Sequence, residues 1–309
     1  MTKDTSDDDD PQANVEAAPF ADFFYTSTDG LKLHARDYGP RAHKSVPVLC
    51  LPGLTRGRRD FHRLAMRLAH EAGRKRRVVV AEFRGRGRSE YDPDIANYTP
   101  KHEALDTLDL MAAIGLEHAV AIGTSRGGLV TMTMSALRPA VLKGFVLNDI
   151  GPRIEGIGLL RIAGQLARMP VPRSWEEARD DLRKMQGEVF TGLDDDAWEQ
   201  FARQIYRDEG GKPARDYDPK IAKTLDAEAI SAGETPEIWP LFMGLGGIPG
   251  LVVRGENSDL LSAATVAEMQ KRHRRLSAVT VPGRGHVPFL TEPEALKGIE
   301  SLLARIDAS

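Results

Sequence analysis

Apolar runs of strand length recur along the chain, and the segments between them carry apolar residues at helical spacing. The stretches FFYTSTDG and LKLHARDYG resemble two strands of a hairpin that is closed at Asp29-Gly30. Other runs are hydrophobic on both faces, which is typical of parallel strands covered by helices. These runs are VPVLCLPG, RRVVVAEF, HAVAIGT, LKGFVLND, GLVVRGENS and SAVTVPG.

Helices are predicted between these strands. One begins after a cap at Thr99 with Pro100 in its first turn, and it carries Leu105, Leu108 and Ile114. The last helix begins near residues 291–293 and places a stripe of apolar residues on one face. That stripe is Leu296, Ile299, Leu302, Leu303 and Ile306. The alternation predicts an α/β fold with a mostly parallel, doubly wound sheet.

One interval of roughly a hundred residues breaks this alternation, because it lacks a good buried strand. Its apolar residues instead recur at helical spacing, and a long insertion with its own secondary structure is a candidate lid. We therefore predict a core of residues 20–152 and 240–309 and a helical cap of residues 153–239. The helical apolar positions are Leu159, Ile162, Leu166 and Met169, followed by Trp198, Phe201 and Ile205.

Composition places the chain among ordinary globular proteins. It has 309 residues, 41% of them hydrophobic, which is enough for one large core with an inserted lid. Residues 1–19 are acidic and polar, with too little apolar surface to order, so we expect a disordered tail. Cys50 is the only cysteine, which excludes an intrachain disulfide and fits a reducing compartment. We expect a cytoplasmic protein.

The stretch VAIGTSRGGLV combines a buried strand with a glycine-rich turn around Ser125. A strand, then G-x-S-x-G, then a helix is the context of a nucleophile elbow. Gly123 and Gly127 allow the sharp turn, because side chains there would meet the neighbouring strand and helix. Ser125 is therefore the candidate nucleophile.

A serine nucleophile needs a base, and the base needs an acid to hold it. His286 lies on a Gly-bounded turn after the strand SAVTVPG, where a loop can carry it over the strand ends. Asp259, beyond the strand GLVVR, is the favoured acid and completes the chain order Ser, Asp, His. Glu256 and Asp149 are alternatives, and Asp149 is the stronger because its strand also ends at the site.

Two backbone amides are expected to stabilise the oxyanion. The N–H of Arg126 begins the helix after the nucleophile, and the N–H of Leu54 follows Pro52-Gly53 after the strand VPVLCL. The Arg126 side chain could reach a substrate carboxylate, but an internal ion pair is the preferred interpretation. The partners weighed for that pair are Glu82, Asp60 and Asp149.

The sequence resembles the α/β-hydrolase superfamily, specifically serine hydrolases with an inserted helical cap. The resemblance runs from near Phe23 to Ile306 and implies a triad of Ser125, Asp259 and His286 with oxyanion amides from Leu54 and Arg126. Pro52-Gly53 stands where relatives often have His-Gly. The motifs in family order are LPGLT, EFRGRGRS, GTSRGG, LNDIGP, RGENSDLL and GRGHVPFL.

This resemblance predicts hydrolysis of a carboxylic ester or lactone through an acyl-enzyme. A C–C bond hydrolase or a cofactor-free perhydrolase is the alternative on the same residues, since a fold does not fix the reaction. A catalytically silent ligand-binding protein is the alternative from another class. A helical cap favours a compact, mainly apolar small-molecule substrate. The residues predicted to line its pocket are Leu159, Met169, Trp198 and Pro288.

Other motifs do not change this prediction. The basic residues of GRKRRVVV and FRGRGRS are interpreted as a solvated helix end and turn rather than a nucleic-acid site, because no aromatic residues alternate with them. RGRGR lacks the G-K-[ST] ending of a phosphate loop, and no histidine or cysteine pattern indicates a metal. We expect no cofactor, metal, nucleic-acid partner or membrane association.

Overall fold

A computed structural model of the protein describes residues 20–39, 44–168, 171–235 and 237–309. The predicted tail and Met169 lie outside these residues. The strands are β1 (Phe20–Thr26), β2 (Lys32–Tyr38), β3 (Val48–Leu51), β4 (Val78–Glu82), β5 (Ala119–Thr124), β6 (Leu142–Asn148), β7 (Tyr206–Glu209), β8 (Lys212–Arg215), β9 (Gly250–Gly255) and β10 (Leu276–Val281). The α-helices are α1 (His62–Met66), α2 (Pro100–Ala113), α3 (Arg126–Leu137), α4 (Gly156–Arg168), α5 (Trp175–Gln186), α6 (Asp195–Ile205), α7 (Ala227–Ser231), α8 (Trp239–Met243), α9 (Ala263–Arg272) and α10 (Pro293–Asp307).

Eight strands form one mixed sheet with the order β1-β2-β4-β3-β5-β6-β9-β10. The predicted hairpin β1–β2 is antiparallel and joins the sheet through an antiparallel pairing of β2 with β4. The remaining neighbours pair in parallel. The doubly wound, mostly parallel sheet predicted from the apolar runs is confirmed.

The parallel strands are apolar on both faces because helices cover both. In β3, Leu49 and Leu51 point into one apolar cluster with residues of α2 and α3, whereas Val48 and Cys50 point into another. This second cluster includes residues of α1 and α10. Alternate side chains of one strand thus enter two cores, which explains the uninterrupted hydrophobic run.

The helices predicted from caps and stripes are present. Thr99 caps α2, where its Oγ1 accepts a hydrogen bond from the His102 amide at 3.2 Å. In α10 the buried residues include Ile299, Leu302, Leu303 and Ile306 of the predicted stripe. Leu105 on α2 is exposed instead of facing the core.

The interval between β6 and β9 contains α4 to α8, and it also contains a feature that the apolar pattern did not predict. The short strands β7 and β8 form an antiparallel hairpin around Gly210-Gly211. The backbone near Gly85 and Gly87 anchors the chain after β8: the Gly87 amide donates to Asp216, and the Asp218 amide donates to Gly85. No helix of the described residues is long and apolar enough to cross a membrane.

The basic stretches are mostly internal, so their interpretation as a solvated helix end and turn is wrong. Arg77 donates to Asp37, and Arg84 donates to Asp106 and Asp92. Arg76, Arg77, Arg84 and Arg86 are all buried. Buried guanidinium groups need carboxylate or carbonyl partners, and the carboxylates named here lie outside the basic stretches.

Candidate active site

Ser125 lies at a sharp turn between β5 and α3. Its backbone has φ 49° and ψ −111°, a conformation that a residue with a side chain rarely adopts. The flanking glycines allow close packing, because a Cβ at Gly127 would lie 2.0 Å from the Leu51 carbonyl oxygen. A Cβ at Gly123 would lie 2.4 Å from the Gly127 carbonyl oxygen. The turn holds Ser125 where its hydroxyl meets the loop after β10.

A hydrogen-bond chain connects Ser125, His286 and Asp149. The Nε2 atom of His286 lies 2.9 Å from Ser125 Oγ, and its Nδ1 atom lies 2.8 Å from Asp149 Oδ2. Asp149 is fully buried, and the His286 side chain is nearly so. An imidazole held this way can take a proton from the serine hydroxyl while the carboxylate stabilises the resulting imidazolium.

Asp149 follows β6 directly and is held from several directions. Its backbone has φ 55°, its amide donates to the Val253 carbonyl at 2.7 Å, and its Oδ1 accepts from the Gly255 amide at 2.9 Å. Ser258 Oγ donates to Oδ2 at 2.6 Å. These contacts fix the carboxylate toward His286 and compensate for its burial.

Asp259, the favoured acid, does not hold His286, so that assignment is corrected to Asp149. Its carboxylate accepts two hydrogen bonds from the Arg161 guanidinium of α4, at 2.5 Å and 2.8 Å. Burial raises the pKa of Asp259, but the hydrogen bonds and charge of Arg161 outweigh burial and leave its pKa below the ordinary value. In the loop after β9, Ser258 contacts Asp149, whereas the next residue, Asp259, contacts α4.

The other rival acid is also engaged elsewhere. Glu256 accepts a hydrogen bond from the Gly283 amide at 2.9 Å and holds the turn after β10. Together with Ser258, it ties the loop after β9 to its surroundings. The loop therefore supports the site through its hydrogen bonds, and the carboxylate that contacts His286 is that of Asp149, directly after the neighbouring strand β6.

The two predicted oxyanion residues lie on separate segments beside Ser125. Arg126 is the first residue of α3, where the amides have no acceptor within the helix and the helix dipole favours negative charge. Leu54 lies in the loop after β3, and its carbonyl accepts from Arg86 Nε at 2.7 Å. β3 pairs with β5, which brings Leu51 opposite Gly123 and the two segments together.

The Arg126 side chain has internal partners. Its Nε donates to Glu103 at 2.6 Å, and its Nη2 donates to the Tyr98 carbonyl at 2.8 Å. An ion pair was the preferred interpretation, but none of the three partners weighed for it is correct. Glu82 contacts His34 and Arg58 instead.

A cavity of about 170 Å³ opens beside Ser125 and His286. Its apolar wall combines residues of the segment between β6 and β9 with residues of the sheet loops, among them Ile162, Leu166, Phe201, Ile205 and Pro288. Pro288 was predicted to line the pocket, whereas Leu159 and Trp198 are not among the lining residues, so those two assignments are wrong. Leu159 packs on the main core, and Trp198 is buried in a separate apolar cluster with Leu182 and Phe190.

The cavity also has polar residues that the sequence analysis did not identify. Arg161 and Gln165 lie one helical turn apart on α4, and Arg161 Nη1 donates to Gln165 Oε1 at 3.2 Å. In the segment after β3, Arg56 Nη2 donates to Asp60 Oδ1 at 2.7 Å, and both residues line the cavity. The sequence carried a signal for both polar residues. Arg161 and Gln165 each directly precede one of the apolar residues that recur at helical spacing, Ile162 and Leu166.

Comparisons with known proteins relate the sequence and the fold of this chain to hydrolases. A sequence profile described as "Alpha/beta hydrolase family" matches residues 48–298. The 3-hydroxybutyrate-oligomer hydrolase of Cupriavidus necator is 34% identical, over 83% of this chain and 87% of that protein. An sn-1-specific diacylglycerol lipase of Mus musculus is 32% identical, over 83% of this chain and 80% of that protein. The crystal structure of an alpha/beta hydrolase from Novosphingobium aromaticivorans superposes with a TM-score of 0.83 at 42% identity, covering 94% of this chain and 99% of that chain.

Proposed function

Because the chain belongs to the alpha/beta hydrolase family, we propose that it is a serine hydrolase that cleaves a carboxylic ester or lactone through an acyl-enzyme intermediate. The observation that carries this proposal is the hydrogen-bond chain from Ser125 through His286 to Asp149, with contacts of 2.9 Å and 2.8 Å. A serine hydroxyl is a weak nucleophile, and this chain supplies the base and the acid that activate it.

In the acylation step, Ser125 Oγ attacks the carbonyl carbon while its proton moves to His286 Nε2. Asp149 accepts the Nδ1–H hydrogen bond and stabilises the imidazolium without taking the proton. The N–H groups of Leu54 and Arg126 donate to the oxyanion of the tetrahedral intermediate. When the intermediate collapses, the C–O bond breaks and His286 returns the proton to the leaving alkoxide. In a lactone, the alcohol stays attached to the acyl group.

Deacylation repeats these roles with water in place of the serine. His286 takes a proton from water, the hydroxide oxygen attacks the acyl carbonyl, and the same two amides stabilise the oxyanion. Collapse releases the carboxylic acid, and the proton on His286 returns to Ser125 Oγ. Both half-reactions need the same hydrogen-bond chain, so loss of any member affects both.

The cavity favours a compact, mainly apolar substrate. Its volume is about 170 Å³, and the side chains of Ile162, Leu166 and Phe201 lie around Ser125. Its two arginines each pair with a carboxylate, Arg56 with Asp60 and Arg161 with Asp259, which reduces the net charge offered to a ligand. Oligomers of short hydroxy acids combine ester bonds with small apolar groups, and one relative is named for hydrolysing 3-hydroxybutyrate oligomers.

Turnover together with labelling of the nucleophile tests this proposal. We expect hydrolysis of short-chain p-nitrophenyl esters and of a 3-hydroxybutyrate trimer, with rates falling for long acyl chains. An alkyl phosphonate should label one site per chain, on the peptide that contains Ser125, and abolish turnover. The Ser125→Ala variant should neither hydrolyse the esters nor react with the phosphonate. The control variant Ser262→Ala, at the start of α9, should hydrolyse the esters and be labelled on Ser125.

The opposite results contradict the proposal. A wild-type protein that binds esters but neither hydrolyses them nor reacts with the phosphonate is a ligand-binding protein. Equal turnover by wild type and Ser125→Ala would place the chemistry on another group. Label on a residue other than Ser125 would do the same.

A further inference from the structure

A buried carboxylate on α2 connects two arginines behind the site. Glu103 is fully buried; its Oε1 lies 2.9 Å from Arg86 Nη2, and its Oε2 accepts from Arg126 Nε at 2.6 Å. Arg86 is also fully buried. Buried charges that are shielded from water must be paired within the protein, and here the Glu103 carboxylate pairs with two guanidinium groups.

Each arginine of this cluster reaches one of the two proposed oxyanion residues. Arg86 Nε donates to the Leu54 carbonyl at 2.7 Å, which restricts rotation of the loop that carries the Leu54 amide. Arg126 is itself the other residue, and its side chain is held at Glu103. Arg86 also donates from Nη1 to the Arg84 carbonyl at 2.6 Å, so its guanidinium has a fixed orientation.

The two amides need this connection because they lie on different segments. The sheet fixes Leu51 of β3 against Gly123 of β5, and Leu54 lies three residues beyond that last pairing. A donor must lie within hydrogen-bond distance of the position that the oxyanion will occupy, and small displacements are costly. The hydrogen bond from Arg86 Nε to the Leu54 carbonyl fixes the loop after β3 at a point that the strand pairing no longer reaches.

We propose that Arg86 and Glu103 are positioning residues that set the separation of the two oxyanion amides of Leu54 and Arg126. The inference rests on the proposed function, since an oxyanion must form for the separation to matter. Neither side chain touches the substrate. They act through the backbone of Leu54 and through Arg126, so their loss weakens transition-state binding more than substrate binding.

The test is Arg86→Lys, because lysine keeps a cation near Glu103 but lacks the Nε–H and the planar fork that reach Leu54. We expect kcat for a short-chain ester to fall about ten- to a hundredfold, below the effect of deleting a donor outright, with KM changed less than about twofold. A trifluoromethyl ketone adds to the serine and forms an oxyanion, so its affinity should fall by a similar factor.

Arg84→Lys is the matched control. Arg84 lies on the same loop, is equally buried and pairs with Asp106, Asp92 and Asp29. Its replacement should lower stability to thermal unfolding, while kcat and the affinity for the trifluoromethyl ketone stay near the wild-type values. A purely structural role for Arg86 predicts the same pattern in both variants.

The outcomes separate this inference from the proposed function. If wild type hydrolyses esters and Arg86→Lys matches Arg84→Lys in kcat and ketone affinity, the positioning role is wrong and the nucleophile assignment stands. If wild type hydrolyses no ester, the proposed function fails first. If Arg86→Lys does not fold, Arg126→Lys tests the other contact of the cluster, between Arg126 and Glu103. Unchanged ketone affinity in that variant overturns the inference.

Discussion

Arg161 and Asp259 form a two-hydrogen-bond ion pair that joins α4 of the inserted segment to the loop after β9, with contacts of 2.5 Å and 2.8 Å. Arg161 lines the cavity beside Ser125. Asp259 occupies the place in the chain order where the family resemblance puts the acid, yet its carboxylate faces a guanidinium. The pair therefore connects α4 to the loop after β9, and it leaves the support of His286 to Asp149.

This ion pair has a pH dependence that follows from its carboxylate. The folded state holds the pKa of Asp259 below the ordinary value of 3.8, so the stabilisation is fully present above that pH and is lost as pH falls below it. In a double-mutant cycle of Asp259→Asn and Arg161→Met, urea unfolding at pH 7 should give a coupling of at most about 1 kcal/mol, because both groups are partly exposed. The coupling should shrink below pH 4, and a coupling that grows on acidification would contradict the assignment.

Two neighbouring aromatic residues of α6 should respond differently to truncation. Phe201 lines the cavity, whereas Trp198 packs inside the inserted segment with its ring centroid 6.0 Å from that of Phe201. Phe201→Ala should change the preference among acyl-chain lengths, measured as kcat/KM over a series of esters. Trp198→Ala should lower the free energy of unfolding by about 3–5 kcal/mol and leave the dependence of kcat/KM on acyl-chain length unchanged in shape. A changed profile in Trp198→Ala alone would reverse the two roles.

The glycine after Arg126 should be intolerant of a side chain. A Cβ at Gly127 would lie 2.0 Å from the Leu51 carbonyl oxygen, and backbone cannot move aside as a flexible side chain can. Gly127→Ala should therefore lower the urea midpoint markedly and reduce turnover. Gly164→Ala in α4, where nothing lies within 4 Å of the added atom, should raise stability by up to about 1 kcal/mol. Equal stability of the two variants would show that the turn is not tightly packed.

Local sequence patterns were sufficient to predict most of the sheet and the turn at Ser125. The apolar runs, the cap at Thr99 and the glycines around Ser125 each form a pattern within a few consecutive residues, although Gly127 is needed because of its approach to the distant Leu51. The hairpin β7–β8 was missed, although Gly210-Gly211 carries its signal: both residues have positive φ, as a type I′ hairpin turn requires. Short polar strands give no apolar run, so the turn was the only local evidence.

The acid could not be assigned locally, because two adjacent parallel strands end at the same edge of the sheet. Asn148 of β6 pairs with Val253 of β9, so Asp149 and the loop that contains Asp259 both begin beside His286. The choice depends on hydrogen bonds from Gly255 and Ser258 to Asp149, across more than a hundred residues of chain. The burial of Arg84 and Arg86 was not predicted either, because the carboxylates that pair with them, among them Asp106 and Glu103, lie outside the basic stretch that contains the arginines.

The most direct test of the account compares Asp149→Asn with Asp259→Asn in steady-state hydrolysis of a short-chain ester. Asparagine keeps the shape of each side chain, but at position 149 it removes the charge that stabilises the His286 imidazolium, and at position 259 it removes the charge paired with Arg161. We predict that Asp149→Asn lowers kcat by about four orders of magnitude, while Asp259→Asn keeps at least about a tenth of the wild-type kcat. Both proteins should show wild-type near-UV circular dichroism. A larger loss in Asp259→Asn than in Asp149→Asn would contradict the assignment of Asp149 as the acid.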